Sequence, residues 1–174
     1  MYTGTVGSRK VETCGKNATI LQVAELMRSE HVGDLVVVEY RGGEPIPVGI
    51  ITDRDLVVTV MAMQVDPTSV IAEDVMSRKL VIAYEGEQLE VAMERMCGSG
   101  VRRIPLVDSG GVLVGIVTLD DIVEKLASTL ANVSHVGRLQ SMEERLTRSR
   151  PGAKLPDDRF QVPLQAQEKH QPRV

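Results

Sequence analysis

The sequence is poor in aromatic side chains: its 174 residues include three tyrosines, one phenylalanine and no tryptophan. The core must therefore consist of aliphatic side chains. The scarcity also argues against a nucleic-acid surface on which bases stack on aromatic rings. Charge points the same way, because residues 1–130 carry twelve basic and nineteen acidic side chains, and an acidic body repels polyanions. We expect no nucleic-acid partner.

Cysteine, histidine and long apolar runs are also scarce. Cys14 and Cys97 are too few for a disulfide framework, and the three histidines lie far apart, which disfavours a metal site. No apolar run approaches the roughly 18 residues that a membrane span needs, and the first ten residues lack the apolar stretch of a signal peptide. These absences predict a cytoplasmic protein without membrane association.

The most informative pattern is an internal repeat. The string Gly-Ile-Ile-Thr-Asp-Arg-Asp at 49–55 returns sixty-six residues later as Gly-Ile-Val-Thr-Leu-Asp-Asp at 115–121. Upstream, at a spacing of sixty-nine residues, the similarity continues between 19–27 and 88–96 and between 31–38 and 100–107. The difference of three fits a longer hairpin loop in the first copy. Because a unit used twice buries faces that one copy leaves open, we expect the copies to pack together.

Each copy is predicted to contain a helix, a strand, a hairpin, a second strand and a second helix. Apolar spacing predicts the first helix of the first copy, with Asn17 as its N-cap, and β-branched runs predict the strands. The predicted elements are helices at 17–30, 52–60, 87–98 and 118–126, and strands at 34–39, 47–51, 103–107 and 112–117.

These elements divide the chain into four parts. We expect a first repeat at 5–62, a linker at 63–79, a second repeat at 80–130 and a C-terminal extension at 131–174. The linker pattern at 71–76 fits one or two helical turns. In the extension, four apolar residues predict a surface helix, and the composition after Arg150 predicts disorder. The four are Val136, Leu139, Met142 and Leu146.

Thr52 with Asp55, and Thr118 with Asp121, are predicted to lie in the first turn of a helix that follows a buried strand. A helix N-terminus offers unpaired N–H donors that suit a phosphate, and a carboxylate one turn later can accept two hydrogen bonds from a cis-diol. Phosphate and diol together indicate a nucleotide. The alternative is that each threonine only caps its helix while the aspartate complements the helix dipole. Duplication of the whole string favours the ligand.

Together these motifs resemble the cystathionine-beta-synthase (CBS) domain, and the pair resembles a Bateman module, over about residues 5–130. The resemblance rests on the two Gly-x-x-Thr-x-x-Asp strings, on Gly-Val-Arg-Arg-Ile-Pro-Leu-Val-Asp at 100–108 and on Asp-Val-Met-Ser at 74–77. It implies an α/β fold, a tandem CBS-domain pair of two pseudo-symmetric β-α-β-β-α repeats packed through their sheets. It also implies an adenosine-containing ligand, with AMP, ADP or ATP favoured over S-adenosylmethionine or NAD, no further cofactor, and a homodimer.

Residue by residue, the resemblance assigns Asp55 and Asp121 to the ribose and Thr52 and Thr118 to the phosphate side of the ligand. Val32 and Val101, just before the first strand of each copy, would hold adenine through backbone groups and apolar contact.

The resemblance also places Arg103 where it can reach phosphate, with Arg102 beside it. The first copy has Gly33 and Asp34 at these positions, and a carboxylate near a polyanion repels it. Arg54 could compensate there, or could be an ordinary surface arginine. We therefore expect unequal sites, the one with Asp121 being the better phosphate binder, although the other copy could supply charge.

Three functions remain open. The first is a stand-alone regulatory module that senses an adenine nucleotide. It would signal occupancy by a change of shape or self-association, either through its own assembly or to an unidentified protein target. The second is a ligand-free scaffold that acts through the C-terminal extension. The third is a nucleotide-hydrolysing enzyme, which we do not expect, because the acidic residues near the phosphate end lack metal-ligand spacing and a lysine cradle.

Overall fold

In the computed structural model, which describes residues 1–148, the first copy of the repeat forms a three-stranded sheet in the order β1-β2-β3. Its strands are β1 (Thr13–Gly15), β2 (Asp34–Arg41) and β3 (Glu44–Thr52), and α1 (Ile20–Glu30) connects β1 to β2. The helical crossover makes β1 and β2 parallel, whereas the hairpin makes β2 and β3 antiparallel. A three-residue helix α2 (Asp53–Asp55) then leads directly into a π-helical segment, Leu56–Met61.

The second copy repeats this order after the short helix α3 (Ala72–Val75). Its sheet has the order β4-β5-β6, again with one parallel and one antiparallel pair. The elements are β4 (Ala83–Tyr84), α4 (Leu89–Ser99), β5 (Arg103–Val107), β6 (Leu113–Thr118) and α5 (Leu119–Arg148). The predicted β-α-β-β-α order and α/β class are confirmed.

The two hairpins differ in a way that the sequence comparison misjudged. The three additional residues of the first copy lengthen the strands, not the loop, because β2 and β3 stay paired as far as Arg41 and Glu44. Gly42 and Gly43 alone make the turn, with φ angles of 61° and 90°. Two consecutive residues with positive φ are what a tight two-residue hairpin requires, and glycine adopts that conformation without a Cβ clash.

The repeats pack through their sheets, as predicted. Along β2, alternate side chains point to opposite faces, so Leu35 and Val37 join the core under the helices of the first repeat while Val36 and Val38 face the other way. Val36 and Val38 form a shared apolar cluster with Leu113 and Ile116 of the second repeat. This explains the nearly continuous apolar run in β2, since both of its faces are covered.

The N-terminal segment belongs to the second repeat by its contacts, which the sequence analysis missed. The Leu89 N–H donates to the Met1 carbonyl, and Ser8 exchanges backbone hydrogen bonds with Ile116. Residues 71–77 make the equivalent contacts with the first repeat, for example from the Ser77 N–H to the Ile50 carbonyl. The signal was present but short: Val, Ser and Arg at 6, 8 and 9 recur at 75, 77 and 78.

The N-cap of α1 differs from the prediction. Thr19, not Asn17, caps the helix, and Thr19 and Gln22 form a reciprocal capping box. Its two hydrogen bonds run from the Gln22 N–H to the Thr19 hydroxyl (3.3 Å) and from the Thr19 N–H to the Gln22 side chain (2.9 Å). A threonine three residues before a glutamine satisfies two orphan helix donors, whereas Asn17 lies outside the first turn.

The second compact unit begins at Leu130, and its described residues continue α5 to Arg148 without a break. The last helix of the second repeat therefore does not end near Leu126 as expected, because no proline interrupts it and Gly137 is tolerated within it. The predicted surface helix is confirmed by exposed apolar side chains at Val136, Leu139, Met142 and Leu146. The predicted disorder after Arg150 lies outside the described residues.

Within the described part of the chain, none of the helices combines the length and the hydropathy of a bilayer-spanning segment. Of the two cysteines, Cys14 is buried and Cys97 is exposed. Burial raises the pKa of the Cys14 thiol to about 11.

The ends of α1 and α4 provide a test of the pseudo-symmetry. Both end in the left-handed region, at His31 (φ 56°) and at its equivalent Gly100 (φ 67°). A residue with a Cβ atom, such as His31, is destabilised in this conformation by roughly 1–2 kcal/mol. Replacing it with glycine removes this strain, but part of the gain is lost because glycine loses more conformational entropy on folding. We expect His31→Gly to raise the free energy of unfolding by about 0.5–1 kcal/mol, measured by urea denaturation. Gly100→Ala should lower it by a similar amount. A destabilised His31→Gly would contradict this account.

Candidate functional site

Each predicted threonine–aspartate pair lies where a buried strand ends and a helix begins, and each forms a capping box. The Thr52 N–H and hydroxyl both donate to Asp55 Oδ2, at 2.8 and 2.7 Å. Thr118 donates to Asp121 Oδ2 with the same two distances. In return, the N–H of Asp55 donates to Thr52 Oγ1 (3.3 Å) and that of Asp121 to Thr118 Oγ1 (3.1 Å). The capping role considered from the sequence is therefore present in both repeats.

Capping occupies only one oxygen of each carboxylate. All the hydrogen bonds that residues 1–148 make to the Asp55 and Asp121 carboxylates end on Oδ2, which leaves Oδ1 without a protein donor. Both side chains are half-buried. A carboxylate oriented by its cap and carrying one unpaired oxygen is well suited to accept hydroxyl hydrogens from a ligand, so the two roles are compatible.

The helix N-termini hold fewer free donors than the sequence suggested. In the first repeat the N–H groups of Asp53 and Arg54 donate to the Gly33 carbonyl (3.0 Å) and to Asp53 Oδ1 (2.7 Å). In the second, the Leu119 N–H donates to the Arg102 carbonyl (2.7 Å). Asp120 N–H is left as the single first-turn donor for which the described residues provide no acceptor. The two sites thus differ in backbone donors.

Val32 and Val101 occupy equivalent positions, with their backbone N–H groups already used. They donate to the carbonyls of Met27 (3.0 Å) and Met96 (3.1 Å), which closes the end of α1 and of α4. Within residues 1–148 no donor reaches either valine carbonyl, so backbone recognition by these residues would rely on acceptors. Val101 also lines an apolar cavity of about 360 Å³. The other lining residues are Met93, Met96, Cys97, Gly100, Leu119 and Ile122.

Asp121 lines a different cavity, of about 270 Å³. Its walls are Thr5 and Val6 of the N-terminal segment and three further residues of α5, namely Glu124, Lys125 and Ser128. The structure therefore does not bring Val101 and Asp121 into one cavity. Sequence reasoning missed these wall residues, because the N-terminal segment had not been recognised as part of the second repeat.

Substitutions between the repeats change the charges around Asp55 in both directions. Val58 replaces Glu124 and Arg54 replaces Asp120, which makes the first repeat less acidic, while two other substitutions make it more acidic. The position of Thr5 is taken in the first repeat by Asp74, whose carboxylate accepts the Ile71 N–H (3.2 Å), and the position of Lys125 by Thr59. A carboxylate replaces a hydroxyl, and a hydroxyl replaces an ammonium group.

Arg103 is engaged by the other repeat. Its guanidinium forms an ion pair with Asp34, the residue that the repeat places at the equivalent position sixty-nine residues earlier. The ion pair joins the two repeats, while the supply of charge from one copy to the ligand of the other stays a prediction. Arg102 is exposed and lies 3.7 Å from the Asp120 carboxylate, and Arg54 is exposed without an ion pair among residues 1–148.

A protein-family model described as the CBS domain matches residues 4–62 and again 72–128. The chain belongs to the CBS-domain family. The two matches cover both repeats and both threonine–aspartate pairs.

Curated CBS relatives include proteins of quite different length. The uncharacterized protein MK0525 of Methanopyrus kandleri is 38% identical over 121 residues, which is 70% of this chain and 60% of that protein. The CBS domain-containing protein YhcV of Bacillus subtilis is 36% identical over 132 residues, 72% of this chain and 90% of that protein. The inosine-5′-monophosphate dehydrogenase of Mycobacterium leprae is 32% identical, but the match covers only 22% of the enzyme.

Solved structures show the same fold. The CBS domain pair of protein MJ0100, in complex with 5′-methylthioadenosine and S-adenosyl-L-methionine, aligns over 74% of this chain and 98% of that one, with 25% identity and a TM-score of 0.64. The CBS domain protein PAE2072 of Pyrobaculum aerophilum, complexed with AMP, aligns over 74% and 99%, with 23% identity and a TM-score of 0.64. The second likeness shows the fold alone.

The capping boxes predict a cost that is independent of any ligand. Thr118→Ala removes the hydroxyl that accepts the Asp121 N–H, so we expect the free energy of unfolding of the ligand-free protein to fall by roughly 0.5–2 kcal/mol. Thr118→Ser keeps the hydroxyl and should lose much less. Thr52→Ala and Thr52→Ser should behave in the same way. Urea denaturation measures all four, and an unchanged Thr118→Ala would show that the cap contributes nothing.

Proposed function

We propose that the chain is a regulatory module that binds an adenosine-containing ligand beside Asp121 and responds to occupancy by a change of conformation or self-association. The observation that carries the proposal is the Asp121 carboxylate. It is oriented by Thr118, its Oδ1 receives no hydrogen bond from residues 1–148, and it lines a cavity of about 270 Å³. Ligand sites of this kind combine a concave wall with a few fixed polar groups. Asp121 would accept the ribose hydroxyls, and the site would operate in the cytoplasm.

Support for adenosine comes from the MJ0100 pair, because 5′-methylthioadenosine and S-adenosylmethionine both carry an adenosine with a cis-diol. Within that class we favour AMP, ADP or ATP. Arg102 lies next to the α5 N-terminus, where the Asp120 N–H has no acceptor among residues 1–148. A phosphate is stabilised by a cation and by a helix N-terminus. Thr118 would lie on the phosphate side of the ligand. Its adenine would contact Thr5 and Val6, which share a cavity with Asp121, whereas Val101 lines the other cavity.

In the first repeat, Asp55 and Thr52 would play the same parts in a weaker site, and Val32 occupies the position equivalent to Val101. Arg54 is the added cation there, but its backbone N–H is occupied and Asp53 and Asp74 add negative charge to this repeat. A phosphate here would meet Gly33 in place of Arg102, and the Asp53 and Arg54 N–H groups already have acceptors, so it would be held less well than one beside Asp121.

The proposal assigns regulation and no reaction. The dehydrogenase relatives do not extend it to catalysis, since the similarity covers 22% of their length. An unidentified protein target would receive the signal, or the chain would act through its own assembly.

Calorimetric titration tests the ligand and the inequality of the sites. We expect AMP, ADP or ATP to bind more tightly than S-adenosylmethionine or NAD. Asp121→Ala should weaken binding of the best ligand by more than tenfold, and Asp55→Ala should weaken it less, because each change removes one ribose acceptor from its own site. Both variants lose the same cap, so each serves as the other's control for stability. Absence of binding by all five compounds at millimolar concentration would refute the proposal.

That outcome would leave the alternative that the CBS pair is a ligand-free scaffold acting through the C-terminal extension at 131–174. Its described part exposes large apolar side chains along α5, which favours a role in contact with another molecule. Deleting 131–174 separates the two functions. The regulatory module keeps its ligand after the deletion, whereas a scaffold loses its partner.

We further propose that the module forms a homodimer through the helices of its repeats. Val57 of the first repeat and its equivalent Val123 of the second are 53% and 57% exposed, and each has further exposed apolar neighbours. These neighbours are Val58, Met61, Leu119 and Leu126. Adjacent exposed apolar side chains on two helical surfaces favour burial against a second copy.

Light scattering after size exclusion tests the homodimer. The wild type should have twice the mass of the chain. The double variant Val57→Lys, Val123→Lys should have the mass of one chain, because four ammonium groups would be buried in the interface of two copies. Tyr40→Lys, at an exposed position on the hairpin, is the control and should stay dimeric. A monomeric wild type would refute the homodimer.

A further inference from the structure

The ion pair between Asp34 and Arg103 lies between the two candidate sites. Asp34 begins β2 and is paired in register with Thr52, while Arg103 begins β5 and is paired with Thr118. Residues directly opposite each other in an antiparallel pair carry their side chains on the same face, with Cβ atoms about 4.5–5.5 Å apart. Each member of the ion pair therefore stands beside the phosphate-side threonine of its own repeat.

Both charged groups depend on this contact. The Asp34 side chain is only 17% exposed and the Arg103 side chain 33%. A carboxylate removed this far from water is destabilised when it loses its cation. The pair uses one terminal nitrogen of Arg103, and a guanidinium has further N–H donors that suit a phosphate. Arg103 could therefore contact a phosphate at Thr118 through its remaining donors, and its single positive charge would then be shared between the phosphate and Asp34.

We infer that the Asp34–Arg103 ion pair couples the two sites, so that an anionic ligand in one site opposes an anionic ligand in the other. The inference rests on the proposed function. A phosphate beside Thr118 shares the charge of Arg103, and the carboxylate of Asp34, which faces Thr52, is then less compensated. That carboxylate repels a second phosphate more strongly than before. The module therefore binds one anionic ligand well and the second poorly.

A neutral nucleoside does not recruit Arg103, because it has the ribose diol and the base but no phosphate. Its two binding events should be independent of the ion pair. Comparison of AMP with adenosine therefore isolates the charge coupling from other differences between the sites.

Calorimetric titration of the full chain with AMP and with adenosine tests the inference. In the wild type, the second AMP should bind more weakly than the first. Binding of the first AMP should lower the affinity for the second by roughly 5-fold to 150-fold, the range that is typical of coupled sites. Asp34→Asn removes the repelling charge and frees Arg103. We expect it to strengthen the second AMP at least about fivefold and to change the adenosine constants less than twofold.

Glu25→Gln is the matched control, because it changes the net charge equally at an exposed position of α1. It should leave the AMP titration as in the wild type. The double variant Asp34→Asn, Arg103→Gln removes both charges of the ion pair, so neither is left buried without a partner. It can be titrated in place of the single variant if that variant does not fold. In the double variant the first AMP should bind more weakly because Arg103 is lost, and the second should no longer be repelled by Asp34, so the two AMP constants should also approach each other.

Two results would overturn the inference and leave the proposed function standing. One is a pair of AMP sites in Asp34→Asn with the same ratio of affinities as in the wild type. The other is an equal response of AMP and adenosine to this substitution. Failure of both compounds to bind the wild type would instead overturn the proposed function, and the inference with it.

Discussion

The structure depends on burying the outer face of each small sheet against the other repeat. A three-stranded sheet has two faces, and the helices of one repeat cover only one of them. Val36 and Val38 point away from their own helices and are buried only because Leu113 and Ile116 meet them. Full burial of such side chains contributes about 1.5–3 kcal/mol each. Neither repeat is therefore expected to be stable without its neighbour, and any displacement of one sheet changes the surroundings of the other.

Pseudo-symmetry at this interface brings equivalent residues together, which is why their chemical difference matters. Identical charges at 34 and 103 would repel each other across the contact, whereas Asp34 and Arg103 attract. The difference between Asp34 and Arg103 therefore allows the two repeats to pack, and it also makes the two candidate sites different in charge. It follows that the charge of either site cannot be judged from the residues of its own repeat alone.

The fold was predictable because two short stretches of sequence indicate it directly. The duplicated string shows that one unit occurs twice, and the continuous apolar run of β2 shows that both faces of this strand are buried. The position of Asp121 at a helix start followed from the same string. The role of the N-terminal segment did not, because its similarity to residues 75–79 is limited to Val6 and the run Ser-Arg-Lys at 8–10, which is too short to recognise. The pairing of Arg103 with Asp34 was out of reach for a different reason. The two residues are sixty-nine positions apart in the chain. The spacing of the repeat shows that they occupy equivalent positions, but it does not show that their side chains are in contact.

The capping boxes explain why the motif by itself cannot separate a structural from a functional role. Thr118 and Asp121 would form the same hydrogen bonds in a helix that binds nothing. Three further features favour a ligand at Asp121: a carboxylate oxygen and a first-turn N–H that have no partner in the described part of the chain, and a cavity wall supplied by the N-terminal segment. Because the cap already fixes the carboxylate, a ligand need not immobilise it on binding, and less of the binding free energy is lost in ordering the site. The cap is thus a means of preorganisation, and its presence does not count against a ligand.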